Sequence, residues 1–209
     1  MGNPPEMQFR DKLAEAHHFL NILLASKDKM DEFNYNLSAF LGASHGVMDV
    51  MLYDFVEMFE LGFSRDDRLA PRDFFVASKA TSNKKALAFL EWWNAKTAEL
   101  SKNPLWVKRH FIVHRGYPAM HVFYTINASV GTIDTTAIDS LLGGHLKPQR
   151  ITVVDSYDTS MKGGSMNLAK SGIFLSGEKS EEDVGAMATR LFDTLQGIAT
   201  ETERRFSKP

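Results

Sequence analysis

The stretch DEFNYNLSAFLGASHGVMDVMLYDFVEMF, residues 31–59, decides the fold class. Phe33, Leu37, Phe40, Leu41, Ser44, Met48, Met51, Leu52, Phe55 and Phe59 recur at helical spacing over more than about seven turns. A helix of that length, expected over 31–60, can run the full height of a bundle. Ser38, Ala39, Gly42, Ala43, Ser44 and Gly46 cluster in its first half and are small enough to let a neighbouring helix come close. Asp31 is the expected N-cap.

Upstream, Leu13, Ala16, Leu20, Leu23 and Leu24 form one apolar stripe, which predicts a helix over about 7–27. Downstream, residues 62–82 carry Asp66, Asp67 and Pro71 and read as a connection with room for a helical turn but no long element. A helix over 82–101 follows, lined by Ala86, Leu90, Trp93, Thr97 and Leu100. Pro104 suits a first-turn position, so 104–115 reads as a short helix ended by Gly116 and Pro118. The period then changes. Met120, Val122, Tyr124 and Ile126 alternate with His121, Phe123 and Thr125, which predicts a strand. Arg150–Val154 and Gly172–Leu175 are further strand candidates, while 134–142 fits a helical turn or a loop equally. Ser180-Glu-Glu-Asp183 has a capping-box pattern and opens a closing helix over 180–206. The expected fold is a mainly α single domain over 1–209: a helical bundle with a strand-rich insert, 118–178, before the C-terminal helix.

Composition narrows the function classes. Apolar residues make up 44% of the 209, with 15 Phe and 10 Met, enough for a packed core. The absence of cysteine excludes disulfides and thiolate zinc sites and leans toward a cytoplasmic protein. The first seven residues, MGNPPEM, lack the basic and apolar regions of a signal peptide, and no apolar run approaches membrane-spanning length, so no membrane association is expected. The net charge of −2 gives no general basic coat, so a nucleic-acid contact must come from a local patch.

One such patch exists. Lys108, Arg109, His110, His114 and Arg115 place five basic or imidazole side chains within eight positions. Metal-free RNA cleavage needs a group titrating near neutrality to move protons at the 2′-hydroxyl or the leaving oxygen, and histidine suits it. It also needs a fixed positive fork on the phosphate, which arginine supplies. Arg109 and His114 are one of each. They sit about 140° apart on an ideal helix, so a single chain makes a poor site and a pair of such helices across a two-fold axis makes a better one. On its own, the bare spacing better suits a solvated basic turn with a histidine capping a helix C-terminus.

Arg109, the adjacent polar His110, and His114 match the Arg-polar-x-x-x-His motif of the HEPN family of helical domains, which the chain resembles. NYNLSAFLGAS, residues 34–44, is similar to the small-residue segment of the second helix in one HEPN-like group. EWWNAK (91–96) with NPLW (103–106) resembles the lead-in to the motif there. VHRG (113–116) resembles its exit, with Arg115 where an acidic residue often stands. The likeness is clear over 8–60 and 86–116 and only topological after 118. It implies a homodimeric bundle with the motifs facing each other, acting as a metal-independent endoribonuclease without cofactor. His114 would be general acid or base, Arg109 would hold the scissile phosphate, and His110 would contact the phosphate or orient His114. Lys108 and Arg115 would steer the RNA backbone, and products would carry a 2′,3′-cyclic phosphate and a 5′-hydroxyl. Such domains serve in toxin–antitoxin, phage-defence or RNA-processing roles, so an antitoxin or regulatory partner is also implied. The alternative is a non-catalytic HEPN-like dimer that binds nucleotide, RNA or a partner protein.

Other residues read more blandly. His110 and His114 have the spacing of a helical metal pair, but no third ligand is evident, so no metal is assigned. His17 and His18 read as surface or interface residues, and His45 as a hydrogen-bonded packing residue with an interface role left open. Trp93 fits the core stripe, Trp92 an interface, and all three tryptophans could stack on bases. The pairs Gly143-Gly144 and Gly163-Gly164 are turns without a phosphate-loop sequence, and Ser156, Ser160 and Ser165 have no hydrolase context.

Overall fold

The computed structural model describes residues 7–27, 29–115, 120–128, 150–155, 166–175 and 182–206. The order is α1 (Phe9–Ala25), α2 (Met30–Met58), α3 (Pro71–Ala80), α4 (Lys84–Leu100), α5 (Pro104–Arg115), β1 (Met120–Ala128), β2 (Arg150–Asp155), β3 (Met166–Leu175) and α6 (Val184–Phe206). The described chain is mainly helical, with the small sheet before the last helix. No described helix is long and apolar enough to cross a membrane.

The long helix is the spine. Phe33, Leu37, Phe40, Leu41, Val47, Met51 and Phe55 of α2 are fully buried. Helix α1 returns against α2, α6 packs on α1, α4 and α5, and α5 also packs on α2. One end of the core is aromatic. Phe55 of α2 stacks on Phe89 of α4 with ring centroids 4.1 Å apart. Phe206 of α6 meets Phe89 edge-on at 5.4 Å, and Phe74 of α3 lies 5.5 Å from it. Four helices thus share one ring cluster, and offset or edge-on rings add to area burial.

A buried carboxylate joins the first two helices. Asp54, 5% exposed, accepts the Phe9 backbone N–H at 2.9 Å and the Arg65 guanidinium at 2.7 Å. Burial raises its pKa, against the pull of Arg65 and the Phe9 N–H.

Several boundaries depart from expectation. Residues 62–82 hold a ten-residue helix, α3, in place of a mere connection. Pro71 is its first residue, where a missing N–H costs nothing, and the Asp73 carboxylate accepts the Ala70 N–H at 2.9 Å. The loop before it is tied to α2, because the Tyr53 hydroxyl donates to the Asp67 carbonyl at 2.6 Å and accepts from the Leu69 N–H at 2.9 Å. Asp31 is not the N-cap of α2. Lys29 is, without a side-chain bond, and Asp31 sits in the first turn near the positive helix end. Helix α4 starts at Lys84, capped by Asn83, whose Oδ1 accepts the Ala86 N–H at 3.0 Å.

The sheet has the order β2-β1-β3, with β1 parallel to β2 and antiparallel to β3. Phe123 pairs with Arg150 and Met120 with Leu175. The third strand is longer than the Gly172–Leu175 segment expected, and its ladder shifts register between Thr125 and Ile126. Ile173 and Leu175 reach the helical core. Asp183 is the junction. It accepts the Ile173 N–H at 2.8 Å, the Ala186 N–H at 3.1 Å and the Lys27 ammonium at 3.2 Å. It therefore caps α6, which begins at Val184, while Ser180 and Glu181 lie outside the described residues. Residues 134–142, both glycine pairs and Ser156, Ser160 and Ser165 also lie outside them.

Replacing Phe55 by Ala removes the ring at the centre of the aromatic cluster and is expected to cost about 3–5 kcal/mol in urea denaturation. Phe75→Ala, at a position 44% exposed on α3, should change stability by less than about 0.5 kcal/mol.

Candidate active site on helices α2 and α5

Helix α5 is anchored before it carries anything. Asn103, 8% exposed, accepts the Leu105 N–H at 2.9 Å and donates its amide to the Met187 carbonyl of α6 at 3.0 Å. Asparagine at this position followed by Pro104 is a strong helix start. Leu105, Trp106 and Ile112 then bury one face of α5.

The other anchor is a ring pair. The His45 imidazole of α2 lies flat on the Trp106 indole, centroids 3.5 Å apart and planes 14° apart. His45 Nε2 is 3.4 Å from the Trp106 carbonyl oxygen. That contact favours the tautomer with the proton on Nε2 and a free lone pair on Nδ1. Burial first and the charge of Arg109 second, against the smaller opposing effect of the Trp106 carbonyl, lower the His45 pKa to about 4. His45 is therefore neutral at pH 7. The expectation of a packing residue holds, with a ring partner that spacing alone could not name.

Arg109 lies one turn beyond Trp106 and is half-buried. Its Nε is buried and has no hydrogen-bond partner. Asn34 Oδ1 and Ser44 Oγ on α2 share that condition, but Arg109 alone of the three carries a charge. One turn beyond His45 on α2 is Asp49, at the open edge of the helix. Surrounding protein displaces enough water from its carboxyl to raise its pKa, and Arg109 pulls the other way. A guanidinium, a carboxylate and a neutral imidazole thus share one neighbourhood across α2 and α5. Sequence spacing picks out Arg109, whereas Asp49 comes into this neighbourhood only through the structure. His45 and Asp49 are four apart on α2, a spacing that puts them on one side of that helix.

The remaining motif residues divide by what is described. Lys108 is half-buried on α5, and Val107 beside it is 63% exposed. His110, His114 and Arg115 belong to the α5 backbone, and their side chains lie outside the described residues. Trp92, Trp93 and Trp106 are buried at 7%, 8% and 8% exposure, which removes them as base-stacking platforms. Trp92 is not an interface residue either, since its indole donates to Glu201 of α6 at 3.0 Å and Phe206 packs on its ring. Glu201 also pairs with Lys96 and Arg205, and its pKa falls to about 2, chiefly through the Lys96 bond. His17 and His18 are exposed as expected, with His17 stacked on Phe192 of α6 at 4.9 Å.

Comparison with protein-family models, curated proteins and solved structures yields no match to this chain. The site is read from its own chemistry.

That chemistry makes a titration prediction. The native state binds His45's proton less readily than the unfolded chain, so stability from this group is present above pH 6.5 and lost as pH falls toward 4. An NMR titration should give His45 a midpoint of about 4. In Arg109→Ala the midpoint should rise yet stay below 6.5, because burial, the larger cause, remains.

Proposed function

We propose that the protein is a metal-independent endoribonuclease acting as a homodimer, in a HEPN-like arrangement where the α5 motifs of two protomers share one cleft. The observation that carries this reading is the buried, unpartnered Nε of the half-buried Arg109. Leaving a charged donor unsatisfied costs upward of about 1–3 kcal/mol, and groups in that condition need an explanation such as a catalytic role. A phosphate oxygen is a fitting acceptor for a guanidinium fork.

His114 follows on the same helix, about 7.5 Å further along its axis. The angular offset of about 140° makes one α5 alone a poor site, which is why a second protomer belongs to the reading. Arg109 holds the scissile phosphate and stabilises developing charge. His114 moves the proton, and His110 contacts the phosphate or orients His114. Lys108 and Arg115 steer the RNA backbone, with binding that weakens in salt. The setting is the cytoplasm, and neither metal nor cofactor takes part. Arg115, where the family often has an acidic residue, favours the second reading: a non-catalytic HEPN-like dimer that binds nucleotide, RNA or a partner protein.

Purified protein should cleave mixed RNA in EDTA. Arg109→Ala and His114→Ala should each lower kcat/KM by about 100-fold or more. Intact RNA under these conditions would contradict catalysis and leave the binding reading.

A further inference from the structure

We propose that the outward face of α3, with the groove beside it, is a docking surface for an acidic, amphipathic segment of a partner protein. None of its residues belongs to the Arg109 neighbourhood, so it owes nothing to the endoribonuclease reading.

Helix α3 buries one side and leaves the other bare. Phe74 and Ser78 are buried, whereas Arg72, Phe75, Val76, Lys79 and Ala80 are exposed. Those five recur at i, i+3, i+4, i+7 and i+8, which is one face of a helix. Two bulky apolar side chains, Phe75 at 44% and Val76 at 58% exposure, thus stand between two cations. The Lys79 ammonium lies 5.4 Å from the centre of the Phe75 ring. Exposed apolar groups gathered on one face and rimmed by charge mark an interaction site more often than singly scattered ones do.

The same face borders a groove of about 550 Å³, set between α3 and the turn that follows α2. Binding pockets commonly enclose roughly 300–1,000 Å³. Leu61, Phe63, Val76, Ala77 and Ala80 form its apolar wall, and Arg72 lines it at the first turn of α3.

Charge selects the occupant. Residues 66–85 carry five cations, Arg68, Arg72, Lys79, Lys84 and Lys85, against three carboxylates, in a chain whose net charge is −2. All five cations are exposed, and none is in an ion pair with a described carboxylate. Two of the three carboxylates already hold backbone: Asp67 accepts the Ser64 N–H at 2.7 Å, and Asp73 accepts the Ala70 N–H at 2.9 Å. A segment with a bulky apolar residue for the groove and carboxylates for the rim matches both features. RNA would meet the cations and leave the apolar wall unmatched. A bilayer surface has nothing to insert into a groove. A second copy presenting the same face would set cation against cation, since a two-fold contact pairs a patch with itself.

The test selects random displayed peptides on the intact protein and then measures the winners singly as synthetic peptides. Selected sequences should carry a bulky apolar residue flanked by Asp or Glu. Val76→Ser should weaken their binding by about tenfold or more. Arg72→Glu combined with Lys79→Glu should reject them and bind counterparts in which Lys replaces each acid. All three positions are exposed, so an unchanged unfolding midpoint shows that the variants are folded. Selected peptides with no preference for acidic residues, or binding that neither Val76→Ser nor the charge reversal alters, would overturn the assignment. Wild-type binding to anionic lipid vesicles or to single-stranded RNA that is lost in these same variants would overturn it too, by giving the face to a different partner.

Discussion

The contact between the His45 imidazole and the Trp106 indole fixes the short helix α5 on the long helix α2, and the position of Arg109 follows from it. A twelve-residue helix has little stability of its own and keeps its place only through packing. Asn103 locks its start to α6, and Trp106 locks its first turns to α2. Arg109 comes next, on a helix that can no longer rotate freely. The ring pair also imposes an electrostatic condition. His45 beside Arg109 must be neutral, and burial makes it so.

The neighbourhood of Arg109 is unlike the ion pairs among the described residues. Arg65 shares Asp54 and Glu57, Lys96 shares Glu99 and Glu201, and Arg190 holds Glu182, so their donors are spent on stability or on the surface. Arg109 feels Asp49 and keeps a buried donor without a partner. A protein selected for stability alone would fill that position with an apolar side chain or supply an acceptor.

The helical framework was legible because its signal is periodic. Nine of the ten residues that the spacing of α2 selects are buried, all but Phe59, and most of the apolar stripes of α1, α4 and α6 are buried too. Strand β1 was legible from alternation. Helix α3 was hidden because Pro71 reads as a breaker in isolation and becomes a helix start only when Asp73 and the Tyr53-held loop are in place. Asp183 caps α6 where Ser180 was expected to, because it serves a strand, a helix and the segment after α1 at once, a tertiary demand no local pattern encodes. Arg109 stands out in the sequence by its spacing from His114, whereas Asp49 lies sixty positions upstream, and the influence of Arg109 on its carboxyl depends on tertiary structure.

The central claim is that the buried Arg109 Nε–H awaits an anionic oxygen. The most direct measurement follows that proton by NMR in arginine-labelled protein while a non-cleavable 2′-O-methyl RNA oligonucleotide is titrated in. A downfield shift of the Arg109 Nε–H resonance that saturates with the oligonucleotide, and grows weaker at higher salt, is the result this account requires. An Nε–H resonance that stays unmoved while the oligonucleotide binds elsewhere, or no binding at all, would contradict it.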